Sequence, residues 1–143
     1  MINFQIDHDH AILITEIYDQ YDPETYCTSL TLKIQLAEEH GYFSELEIIH
    51  GQGHRSIEAQ IAAGTQDLDF NDERLLGAVM KKVAYAYVAD GHFWKKAMEV
   101  VGSIPLPYKT RAFNMIGRDA AFDWLKAQNA QRREQLAAMA REA

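Results

Sequence analysis

At 143 residues and a net charge of −7, the chain is long enough for one domain with a real core, and its acid surplus disfavours nucleic acid and anionic membrane as partners. Hydrophobic residues make up 48% and charged residues 24%, a globular balance with no apolar run as long as a membrane span. The single cysteine, Cys27, excludes an internal disulfide framework and fits a reducing compartment; with no basic-then-apolar leader pattern, the expected location is cytoplasmic.

The chain opens with Ile2, Phe4 and Ile6 alternating with polar residues, the period of a short strand or extended arm. Asp7 or Asp9 then offers a cap for a helix holding Ile12, Leu13, Ile17 and Tyr21. A stronger start follows at Asp22-Pro23-Glu24: a capping acid, a proline at the first helical position and an acid in the first turn. That helix should turn Leu30, Ile34 and Ala37 inward and end near His40-Gly41. Phe43 to Ile49 reads as a short helix broken by Gly51-Gln52-Gly53. Ile57, Ile61 and Ala62 suggest another, closed by Gly64, and Leu68 and Phe70 anchor a polar connector.

Asn71 can cap the next helix, with Asp72 and Glu73 opposing its dipole. Leu75, Leu76, Val79, Met80, Val83, Ala84 and Tyr87 then recur at helical steps until Gly91. Phe93, Ala97, Val100, Val101 and Ile104 form a second apolar face, ended by Pro105 and Pro107. A third helix, from around Leu106 to Tyr108, carries Ala112, Phe113 and Ile116 to Gly117. From Arg118 another helix holds Ala121, Phe122, Trp124 and Leu125. Beyond Asn129 strong helix formers have only Leu136 and Met139 to bury. That tail is either a projecting solvated helix or one that awaits a partner.

Two stretches are alike. HGYFSELEII, from His40 to Ile49, and DGHFWKKAMEVV, from Asp90 to Val101, each join a helix end, a glycine turn, an aromatic residue and an amphipathic segment. With SIPLPYKTRAF at Ser103 to Phe113 as the hand-on to a further helix, this resembles the tetratricopeptide-type repeat over Ser29 to Gly117. The resemblance implies an all-α fold: antiparallel helical hairpins stacked as a short α-solenoid or bundle. The expected organisation is a single domain, with an acidic half over 1–70, a basic part over 71–129 and a helical tail over 130–143.

Charge follows that division. Up to Glu73, 15 acidic residues stand against Lys33 and Arg55; from Arg74 to Arg118, eight basic residues stand against Asp90 and Glu99. In a helical stack Lys81, Lys82, Tyr85, Lys109, Arg111 and Asn114 line one concave face, with Trp94 at the turn. Such a groove suits an acidic peptide or a free carboxylate.

His8, His10, His50 and His54 offer an alternative zinc or nickel site. No phosphate-binding glycine loop, nucleophile elbow or paired-cysteine motif is present, and Cys27 fits a core position better than a nucleophile. An enzyme is therefore not expected, nor a cofactor. The leading expectation is a protein-interaction module, an adaptor or small acidic chaperone-like protein. A metal-binding protein or metal-dependent enzyme is the second, and a structural or regulatory dimer through the C-terminal helix the third.

Overall fold

The computed structural model describes residues 2–18, 23–50, 73–90, 99 and 107–142. It contains a five-stranded sheet in the order β1-β2-β3-β4-β5. The strands are β1 (Ile2–Asp7), β2 (Ile12–Ile17), β3 (Phe43–Ile49), β4 (Lys82–Ala89) and β5 (Lys109–Asn114). The first two form an antiparallel hairpin, and β2 to β5 run parallel. Three α-helices accompany them among the described residues: α1 (Pro23–His40), α2 (Glu73–Met80) and α3 (Arg118–Glu142).

The fold is thus mixed α/β, and the all-α, tetratricopeptide-like expectation is overturned. Phe43–Ile49, read as a helix, is the central strand β3, with every residue buried. The helix expected from Asn71 to Asp90 is the short α2 followed by β4, whose residues are also all buried. Ile12–Ile17 is a strand, and so is Lys109–Asn114. For β4, buried along its whole length, the cause is plain. A parallel strand covered on both faces needs apolar residues at consecutive positions, so period 2 disappears. What remains, as in Val83-Ala84-Tyr85-Ala86-Tyr87-Val88, satisfies helical steps equally well. The second repeat-like stretch and the helix expected at Ile57 lie outside the described residues.

Other expectations are met. Ile2–Asp7 is a strand, α1 starts at Pro23 and α3 starts at Arg118. Gly41 ends α1 with φ +81°, and its N–H donates to Ala37 O at 2.9 Å, a left-handed cap that glycine adopts without strain. It does not bend one helix into another. It turns α1 into β3.

Register sorts the side chains onto two faces. Leu13, Thr15 and Ile17 pair with Glu45, Glu47 and Ile49, which continue to Tyr85, Tyr87 and Ala89. This face meets α1 and α2. Adding strands in one direction with right-handed crossovers puts the crossover helices on a common side. Ile12, Ile14, Leu46, Ile48, Ala86 and Val88 point the other way, under α3. That helix begins beside Glu16, held there by an Arg118–Glu16 ion pair of 2.8 Å, and runs back to the strand starts. There the buried Asn129 accepts from the Ser44 hydroxyl and donates to His10 O at 2.6 Å and Ala11 O at 3.1 Å.

Candidate functional site

The residues expected to share one basic trough are dispersed over the sheet. Lys81 is exposed in the turn between α2 and β4. Lys82 and Tyr85 are buried together on the α1–α2 side, with the Lys82 ammonium 4.4 Å from the Tyr85 ring centre and 4.1 Å from that of Tyr108. Lys109 and Arg111 lie on the opposite face of β5 by register, where Arg111 covers the Phe113 ring at 4.8 Å. Asn114 caps the 3-10 turn Met115–Gly117, accepting from Gly117 N at 2.9 Å. Trp94 lies outside the described residues. A groove between stacked helices therefore does not assemble from this set.

What does assemble is a charged cluster under α1. Two-residue spacing on β3 places Glu45 and Glu47 on one face, and the same spacing on β4 places Tyr85 and Tyr87 beside them. Glu45 is 2% exposed, with Lys82 Nζ at 2.8 Å and Lys33 Nζ at 3.3 Å from its Oε1. Burial works to raise its carboxyl, but the two ammonium groups outweigh burial and hold it below the usual range. Glu47 goes the other way. Burial, then the neighbouring Glu45 charge, lift it to about 7, against the pull of the Tyr85 hydroxyl and the two lysines. Its Oε2 is buried with no hydrogen-bond partner. Burial and the Glu47 charge push the Tyr85 hydroxyl well above its ordinary value.

This geometry permits proton storage near neutral pH. It leaves little room for a substrate: the cavity against Lys33, Phe43, Leu75, Lys82 and Tyr108 is about 10 Å³, about enough for one water. Sequence reading singled out Lys82 and Tyr85 but missed Lys33, Glu45, Glu47 and Tyr87. The available signal was Glu-x-Glu and Tyr-x-Tyr, which share a side only on a strand.

His8 and His10 do not meet His50. His8 and His10 occupy the β1–β2 turn, at the start of β2. His50 follows β3 at the far end, where its N–H donates to Ile17 O. A six-residue strand separates the two ends by about 20 Å. His10 is engaged by Asp7 at 3.1 Å. His50 Nε2 lies 3.0 Å from Glu16, and its ring stacks on Tyr18 at 4.5 Å. His54 lies outside the described residues.

The remaining feature is α3 itself. Ala121, Leu125 and Asn129 are its buried residues, spaced by four along one stripe. Continued by the helical period, that stripe passes through Arg132, Leu136, Met139 and Ala140. Leu136 and Met139 are 38% and 64% exposed. On one flank Gln128, Arg132 and Gln135 line an open cleft of about 460 Å³ with Val83, Tyr108 and Lys109. The segment beyond Asn129 is helical through Glu142, roughly 20 Å of rod at 1.5 Å per residue.

No protein family, curated protein or solved structure matches the chain. No helix among the described residues is long and apolar enough to cross a membrane.

Proposed function

We propose that this protein is a protein-interaction module that pairs with a second copy of itself through the distal half of α3. The observation that carries the reading is the continuity of the stripe. The face that docks α3 on the sheet runs on past it as Leu136, Met139 and Ala140, and the first two stay partly open to solvent. An antiparallel, two-fold contact centred between residues 137 and 138 sets Leu136 against Met139 of the second copy. Such a contact is self-complementary. It also brings Arg132 to the carboxyl end of the facing helix, where the dipole favours a cation.

A contact this small falls below the size of stable interfaces, so the pairing is weak and concentration-dependent. The lone Cys27 fits a reducing setting for it. A catalytic role is less favoured, because the buried acids are engaged with lysine and tyrosine beside a cavity of about 10 Å³.

Sedimentation of the full chain and of a variant lacking residues 130–143 tests the reading. The full chain should gain mass with concentration while the shortened chain stays monomeric. Identical behaviour at every concentration would leave the tail as a solvated rod and remove the proposal.

A further inference from the structure

The turn that opens β2 and the end of α1 bring three metal-ligating side chains together. His8 comes from the β1–β2 turn; Glu39 and His40 come from the last turn of α1. His8 Nδ1 lies 3.7 Å from Glu39 Oε2, and His40 Nε2 lies 4.0 Å from the same oxygen. One donor atom from each of the three residues falls within 4.8 Å of the others. Ligands on a tetrahedral zinc ion, at about 2.0–2.2 Å from the metal, stand roughly 3.3–3.6 Å apart. Small side-chain adjustments therefore close this set on one ion.

A second observation points to a ligand. His40 Nε2 is shielded from solvent and has no hydrogen-bond partner. A buried polar atom left unpaired is costly, and a cation between His40, Glu39 and His8 would satisfy it. Gly41 fixes the end of α1 directly after His40, so the imidazole is held by a capped helix end. His10 does not compete, since Asp7 engages it.

We propose that His8, Glu39 and His40 bind one divalent transition-metal ion of the zinc class. Two imidazole nitrogens and one carboxylate oxygen form a set suited to such ions rather than to calcium or magnesium. The site faces solvent, with His8 and Glu39 side chains 57% and 50% exposed, so a fourth position stays open to water. This set shares only His8 with the histidine quartet considered from sequence.

The test is calorimetric titration of zinc into the untagged full chain after chelator treatment, with cobalt absorption reporting tetrahedral coordination. The expected result is one ion per chain, with affinity lowered roughly tenfold or more in His8→Ala, in Glu39→Gln and in His40→Ala. His10→Ala and His50→Ala should bind as the parent does. The exposed positions of His8 and Glu39 let their variants fold even if His40→Ala does not. Absence of binding, or binding lost in His10→Ala or His50→Ala but kept in His8→Ala and Glu39→Gln, would overturn the proposal.

Discussion

The two faces of the sheet are supplied by the same strands yet hold different chemistry. Toward α1 and α2, β3 presents Glu45 and Glu47, met by Lys33, Lys82, Tyr85 and Tyr87. Toward α3 it presents Leu46 and Ile48, and polar contacts lie at the two ends, Arg118 with Glu16 and Asn129 with Ser44, His10 and Ala11. One face is held by charge pairing that must stay complete. The other is held by apolar packing, with the Arg118–Glu16 ion pair at one end and the Asn129 hydrogen-bonded staple at the other. A parallel strand can separate the two because neighbouring residues never share a side.

The largest expected effect tests the charged face. Glu45→Ala leaves two buried ammonium groups without their shared carboxylate, and should cost about 3–5 kcal/mol in denaturant unfolding. A cost under 1 kcal/mol would mean that Lys33 and Lys82 lose little without Glu45. Next comes the staple on the other face. Asn129→Ala strips partners from Ser44 and from the His10 and Ala11 carbonyls, and should cost roughly 2–3 kcal/mol. Its unfolding midpoint should fall at all pH values alike.

The third effect changes sign relative to these. The Glu47 carboxyl sits at about 7 in the fold against 4.5 as its reference value. The folded state therefore keeps a proton that the unfolded chain releases. Its contribution is fully present below pH 4.5 and is lost as pH rises toward 7. Glu47→Gln keeps the volume and an acceptor for Tyr85 without the charge. The variant should match the parent near pH 4 and exceed it at pH 8 by about 1–3 kcal/mol. Urea midpoints at both pH values decide it, and an equal gap at both would place Glu47 in a wetter setting.

Legibility followed exposure along β1, though not along the exposed β5. Strand β1 lies at the sheet edge and keeps its alternation, so Ile2, Phe4 and Ile6 announced it. The limits of α1 rest on local chemistry, a proline start and a glycine end, and were readable for the same reason. Strands β3 and β4 are buried on both sides, and Val79, Val83 and Tyr87 supplied a false helical period across a real helix-to-strand junction. With the strands taken for helices, Lys81, Lys82 and Tyr85 seemed to share a face with Arg111. Nothing in the α1 segment flagged Lys33 as an inward lysine, because its partner Glu45 is supplied by the strand that follows the helix. The helical tail was readable because the strong helix formers after Asn129, with only Leu136 and Met139 to bury, are a local property.

The order of elements also bears on synthesis. α3 follows all five strands in the chain, and the face it covers includes Leu46, Ile48, Ala86 and Val88. A nascent chain emerging from the ribosome would therefore display an oily, strand-rich plate until Leu125 and Asn129 are free to swing back across it. Premature truncation upstream of these residues should yield a sticky product, and the interval before helix closure is when this protein most needs a holdase.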